Sequence, residues 1–230
     1  MNMLIGFTTG KTDKLSFEQK VKIFHDVGCT AIELSILDVN NIPEVLAGLP
    51  LFTQYPFLYY SVHAPARDFT FRNDERTTYV LDSIQKMHDA LGLSTIVVHP
   101  DKIEDWNVFD AYHLPFALEN MDHRKNIGQT VENLKELFQK MNVPMVLDVN
   151  HCYANDPTMQ LATDMDIAFH DRIIEVQLSG FDTLHDPLYK TKQTAIIDAI
   201  PDKTLPIIIE SPSDSIEEIN AEYTYILEHL

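Results

Sequence analysis

The chain has 230 residues, with 17 Lys and Arg against 35 Asp and Glu, a formal charge of −18 at neutral pH. Two cysteines, Cys29 and Cys152, rule out a disulfide scaffold, and no apolar run approaches the roughly 20 residues that cross a bilayer. The charge weighs against nucleic acid as a partner without excluding it, because such affinity comes largely from Lys and Arg neutralising phosphates. The N-terminus lacks the basic and apolar regions of a signal peptide, so a cytoplasmic protein is expected.

Eight short apolar runs alternate with helical patterns. Met3–Thr8 is the first run, and Ser16 then caps a helix over Phe17–Val27, with Gly28 just past its end. Thr30–Ser35 follows, and Asn40–Leu49 reads as a short helix or loop. The third run is Phe57–His63, before a helix over Asn73–Leu91 that Gly92 stops. Ser94–His99 comes next, then a short helix or loop at Lys102–Phe109, the run Phe116–Met121 and a helix over Gln129–Met141. Pro144–Val149, a helix over Asp156–Ala168, Ile173–Leu178, a helix over Thr191–Ile200, Pro206–Glu210 and a helix over Ser213–Leu230 complete the chain. Most runs are continuously apolar, as in strands buried on both faces of a parallel sheet. The alternation predicts an α/β protein, a (β/α)8 TIM barrel formed by residues 1–230 as a single domain. A doubly wound open sheet is the competitor, but neither GxGxxG nor GxxxxGK[ST] occurs.

The ends of six consecutive runs carry polar groups: His63, His99, Glu119, Asp148 with His151 three residues later, Gln177 and Glu210. Burying any one of them without a partner is costly, and an unpaired charge is costlier still. The C-terminal mouth of a barrel gathers them in one place, where barrel active sites lie. Imidazoles and carboxylates together suit Zn²⁺, Mn²⁺ or a similar divalent ion.

His-Ala-Pro at 63–65, His99-Pro, Glu119-Asn, Asp148-x-x-His151 and the final Glu210 resemble the xylose isomerase-like barrels, which include endonuclease IV and many sugar or sugar-phosphate isomerases and epimerases. The resemblance implies one zinc on His63, His99 and Glu119, with Glu119 bridging to a second metal held also by Asp148 and Glu210. It implies a third metal on His151 and a later Asp-x-His pair, for which His185 is the candidate. Thr183 stands where that pair has its Asp, with Asp182 or Asp186 as substitutes. Gln177 stands where many members carry a His ligand of the second metal. One to three ions are therefore expected.

The leading functional expectation is a metal-dependent isomerase or epimerase of a small sugar, sugar phosphate or polyol, working through an enediolate. Glu119 and Glu210 are then the catalytic pair, one carboxylate taking a carbon-bound proton and the other side returning one. The alternatives are a phosphodiesterase like endonuclease IV, acting at abasic sites, and a barrel that binds metal without catalysis. Arg67 and the cluster His123, Arg124 and Lys125 are candidate contacts for an anionic substrate group, and Lys102 has a similar place. Glu33 is a candidate support for the site. Trp106 and Tyr112 are candidates for a sugar-stacking wall, with core packing the alternative. Barrels of this kind often pair, so a homodimer is an expectation.

Overall fold

A computed structural model describes residues 3–11 and 14–230. Eight parallel strands close into a barrel in chain order: β1 (Ile5–Thr8), β2 (Ala31–Ser35), β3 (Tyr59–His63), β4 (Thr95–Val98), β5 (Phe116–Glu119), β6 (Met145–Asp148), β7 (Ile173–Leu178) and β8 (Ile207–Ile209), with β8 pairing back onto β1. The α/β barrel read from the alternation is the observed fold.

The helices are α1 (Phe17–Asp26), α2 (Ile42–Gly48), α3 (Glu75–Leu91), α4 (Val131–Lys140), α5 (Val149–Asn155), α6 (Gln160–Phe169), α7 (Leu188–Thr191), α8 (Thr194–Asp198) and α9 (Ile216–His229). Ser16 caps α1, accepting from the Gln19 amide at 3.3 Å while Gln19 reaches back to the Ser16 amide at 2.9 Å, a reciprocal capping box. Gly92 ends α3 in the left-handed region at φ 66°. Two strands begin one residue later than the apolar runs because Pro144 and Pro206 lack an N–H. Their carbonyls still accept from Leu118 at 3.1 Å and Val176 at 2.9 Å. Of the helix expected over Thr191–Ile200 only Thr194–Asp198 forms, as α8, while Thr191 ends α7 and Lys192 lies between the two at φ 59°. Among the described residues, no helix is long and apolar enough to cross a membrane.

The apolar core lies mainly between strands and helices, where Phe7, Phe24, Ile84, Leu118, Leu147 and Ile226 are buried. Inside the barrel, Val97, Ala117 and Val146 form one small apolar cluster, and Ala31, Tyr59 and Ile208 another. The inward positions of several strands are polar, contrary to the reading of continuously apolar runs. On β3 Tyr59, Ser61 and His63 alternate inward, and on β7 Glu175 and Gln177 do. The Tyr59 hydroxyl donates to Glu175 Oε2 at 2.8 Å across the interior and lies 2.5 Å from Thr95 Oγ1.

The barrel closes tightly at β1–β2. A Cβ placed on Gly6 would stand 1.7 Å from the Ala31 carbonyl oxygen, a backbone atom that cannot swing aside. Gly6→Ala is therefore expected to destabilise the fold by about 3 kcal/mol or more, at or above the upper end for overpacking. Urea denaturation followed by circular dichroism checks this, and an unchanged midpoint would contradict the close approach.

Candidate metal centre at the barrel mouth

Each strand-end residue reaches the mouth because its strand stops there and its side chain falls on the inward face. His63 Nε2 lies 3.3 Å and His99 Nε2 3.0 Å from Glu119 Oε2, and the two nitrogens are 3.1 Å apart. His63 Nδ1 donates to the Ala64 carbonyl at 2.9 Å, which turns Nε2 toward Glu119. Ligand atoms about 2.0 Å from a tetrahedral zinc stand roughly 3.3 Å apart, so these three atoms already trace one face of such a polyhedron.

The other oxygen of Glu119 faces a second group. His151 Nδ1 lies 3.1 Å from Glu119 Oε1 and 3.3 Å from Asp148 Oδ2. Asp148 ends β6 and caps α5, its Oδ1 accepting from the His151 amide at 3.0 Å. The three-residue spacing seen in the sequence is thus a helix start, which the strand-and-helix reading missed. A third group joins Asp148 to His185 and Glu210, with His185 Nδ1 3.7 Å from Glu210 Oε2. Among the described residues, three sets therefore have ligand atoms within 4.8 Å of one another: His63–His99–Glu119, Glu119–Asp148–His151 and Asp148–His185–Glu210. Glu119 Oε2 and Asp148 Oδ2, on the two residues shared between sets, are buried with no hydrogen-bond partner. Buried acceptors surrounded by imidazole nitrogens are what a divalent cation satisfies, and the donor set fits one.

No protein-family model matches the chain, and no curated protein does. Solved structures do match. Endonuclease IV from Thermus thermophilus superposes with a TM-score of 0.71 at 19% identity, covering 98% of each chain. D-allulose 3-epimerase from Methylomonas sp. in complex with D-allulose gives 0.69 at 15% identity, over 99% of this chain and 97% of that one. 3-Keto-D-glucoside 4-epimerase from E. coli gives 0.65 at 14% identity, over 99% and 100%. The fold is that of the xylose isomerase-like barrels.

Within that fold, the charges of the cluster follow from its packing. Burial opposes a charge on Glu119, but His99, His151 and His63 overrule it and hold its carboxyl well below the usual range. Burial likewise disfavours charge on His63 and His151, yet the neighbouring carboxylates lift them to about 9 and about 10. Burial pushes His99 down, and burial with Lys11 pushes His185 well down, so both are neutral at pH 7. Burial raises Asp148 to about 7, with Glu119 and Glu210 adding to the effect.

The remaining expected residues are distributed unevenly. Gln177 is buried but turns its Nε2 to Glu33 Oε2 at 3.2 Å, leaving its Oε1 buried without a partner. Asp186 does not replace the missing ligand at position 183. Its Oδ2 accepts from the amides of Asp182, Thr183 and Leu184 at 2.8, 2.7 and 3.2 Å, and Asp182 itself is exposed. Arg67 is exposed, its backbone amide donating to the Leu37 carbonyl at 3.0 Å. His123 borders a surface depression of about 490 Å³ with Asn155 and Asp164. Arg124 grips Asp122 through Nε at 2.8 Å, and Asp122 Oδ2 lies 3.5 Å from His151 Nε2. Lys125 Nζ lies 3.2 Å from Asp101 Oδ2, whose carboxyl is 3.7 Å from His99 Nδ1. Both cations thus back the acids beside the imidazoles.

Three residues were given no role of their own by the sequence reading. Lys11, in the turn after β1, puts Nζ 3.6 Å from Glu210 Oε2. It had a signal, since it also follows an apolar run. Asn120 ties two strand ends together, its Oδ1 accepting from the Asp148 amide at 2.7 Å and its Nδ2 donating to the Asp148 carbonyl at 2.9 Å. Asn150 holds the loop carrying His185, its Nδ2 donating to the carbonyls of Gly180 at 2.6 Å and Leu184 at 3.0 Å. Asn150→Ala should leave those carbonyls short of a donor. It is expected to weaken metal retention in the His185 set by roughly 10- to 100-fold, as losses of groups that orient ligands do. Metal titration of the variant checks this, with His63-set affinity unchanged as the control.

Proposed function

We propose that this barrel is a divalent-metal-dependent hydrolase of a small phosphoester. The observation that carries this is the sharing of Glu119, whose Oε2 faces His63 and His99 while its Oε1 faces His151. A carboxylate turned to two ligand sets suits paired metal ions, zinc or manganese by the donor types. When bound, such ions lower the pKa of water and stabilise the attacking and leaving oxygens of an in-line displacement.

The chain's own residues supply the rest. His63, His99 and Glu119 would hold one ion. Glu119, Asp148, Glu210 and Gln177 would surround a second, with His151 and His185 at the outer side. Glu210 Oε2 has Lys11 and His185 at 3.6 and 3.7 Å, beyond hydrogen-bond distance, and is placed to accept a proton. Lys11 offsets negative charge on the substrate at the same point. A small substrate is favoured over duplex DNA because the nearby cations are already spent on acids: Arg124 on Asp122, Lys125 and Lys102 on Asp101. Arg67 and His123, lying outside these pairs, are the proposed contacts for its more distant parts.

The isomerase or epimerase reading has its own support, since Glu119 and Glu210 both adjoin Asp148 and would flank a substrate held there. Against it, both Glu119 oxygens face imidazoles and its carboxyl is held well below the usual range, which makes it a weak proton acceptor.

The test uses the zinc- or manganese-loaded protein with bis(4-nitrophenyl) phosphate, an abasic-site oligonucleotide and, separately, ketoses in D₂O. Chelator-sensitive cleavage of the small diester is the expected result. Deuterium incorporation without cleavage would replace this reading with proton transfer, and neither reaction would point to metal binding without catalysis.

A further inference from the structure

Glu222 lies on α9, outside the barrel, and is fully buried. Its Oε1 accepts from the Leu188 amide at 2.9 Å and from the Ser211 hydroxyl at 2.6 Å, and its Oε2 accepts from the Tyr189 amide at 2.9 Å. Ser211 is the residue after Glu210, and Leu188 opens α7 shortly after His185. The two segments that carry Glu210 and His185 therefore meet on a single oxygen atom.

Both arms are short and tied down. The Glu210 amide donates to the Leu178 carbonyl at 2.9 Å, which fixes that residue to β7 before the chain reaches Ser211. On the other arm, Asp186 and Gly180 exchange two backbone bonds at 2.7 and 2.8 Å, and the Pro187 ring holds its own φ at −63°. The base is firm as well. On α9, Ile219 and Ile226 are buried, and the Tyr223 hydroxyl donates to the Gly28 carbonyl at 2.9 Å. A shift of the Glu222 carboxylate is therefore passed to both His185 and Glu210, whose Nδ1 and Oε2 stand 3.7 Å apart.

Packing alone does not call for a carboxylate here. Apolar side chains of similar volume fill a buried site as well as an ion does or better, because taking a charge out of water is costly. What the carboxylate adds is direction, since bonds to a charged acceptor are shorter and stronger than neutral ones.

We infer that Glu222 is a positioning residue for the His185–Glu210 edge of the mouth: from α9 it sets the spacing of these two side chains through Ser211 and the start of α7. The inference rests on the metal-centre reading, in which both belong to one ligand set with Asp148, but not on the reaction.

Zinc titration of the metal-free full chain, with anomalous scattering to assign each ion to its set, compares the variants. Glu222→Met fills the same space and accepts nothing. It should weaken binding at the His185–Glu210 set by about 10- to 100-fold, as loss of groups that orient ligands does. The His63 set should keep its affinity, which shows that the variant is folded. Glu222→Gln, whose remaining oxygen can still serve Leu188 and Ser211, should recover most of that loss. Ser211→Ala leaves the bonds to α7 in place and should weaken the set less than Glu222→Met. Added to Glu222→Met it should cost nothing further, because the hydroxyl has already lost its acceptor. If Glu222→Met fails to fold, Ser211→Ala carries the test. A second readout needs no metal: in imidazole nitrogen NMR spectra of the metal-free protein, the His185 resonances should move in Ser211→Ala and Glu222→Met while those of His63 stay. Wild-type affinity and unmoved His185 resonances in the folded variants, whatever their Tm, would overturn the inference and leave Glu222 a purely structural residue. A wild type with no ion at His185 and Glu210 defeats the metal-centre reading instead, and the His185 resonances then decide the inference alone.

Discussion

Glu119→Gln will strip metal from the two ligand sets that share this residue while the barrel stays folded. The amide keeps the shape of the side chain but replaces one acceptor oxygen with a donor, so it cannot face His63 and His99 on one side and His151 on the other as an anion. Affinity should fall by more than about 100-fold, since even the loss of groups that only orient ligands lowers it about 10- to 100-fold. Turnover of any substrate should fall at least as far. Asp101→Asn is the comparison, because Asp101 touches the centre only through His99 Nδ1, at 3.7 Å. It should stay within the range of about 10- to 100-fold. Elemental analysis and zinc titration of both variants give the answer, and full metal content in Glu119→Gln would remove the shared-carboxylate reading.

Metal affinity will also climb steeply with pH. In the metal-free protein, burial is overruled by the carboxylates, and His63 and His151 are raised to about 9 and about 10. An ion entering at pH 7 must displace those protons. For the His63 set, affinity should rise by about tenfold per pH unit and level off near pH 9, because one proton is released per ion bound there. The metal-free fold should respond in the opposite sense. A raised histidine pKa stabilises the folded state fully below the unfolded value near 6.5, and that contribution is lost as pH rises through about 9 and 10. Between pH 7 and 10 the Tm of the metal-free protein should therefore fall while zinc affinity rises. Calorimetric zinc titration and thermal melts across that range check both slopes. A flat affinity profile would mean the imidazoles carry no proton for the metal to displace.

Much of this protein is legible in its sequence. The strand runs are readable because strands buried on their outer face carry Ile, Val and Leu, and because Pro and Gly punctuate them. The strand-end positions of His63, His99, Glu119, Asp148 and Glu210 follow from those runs, and all five meet at the mouth. The interior is harder. Glu175 and Tyr59, which join across the barrel, sit inside runs that look apolar overall, and only a two-residue alternation within β3 and β7 marks them.

Residue types, their order and the length of the runs determined the barrel and the set of donors, because burial and backbone periodicity act locally along the chain. Which donors come within reach of one another was decided by tertiary structure alone. Glu119 turns one oxygen to β3 and β4 and the other to α5, Asp186 is consumed in a turn, and Gln177 is locked by Glu33, 144 positions away. Those assignments depend on distances of a few ångströms between strands that are far apart in sequence, where Coulomb and hydrogen-bond energies are set by geometry.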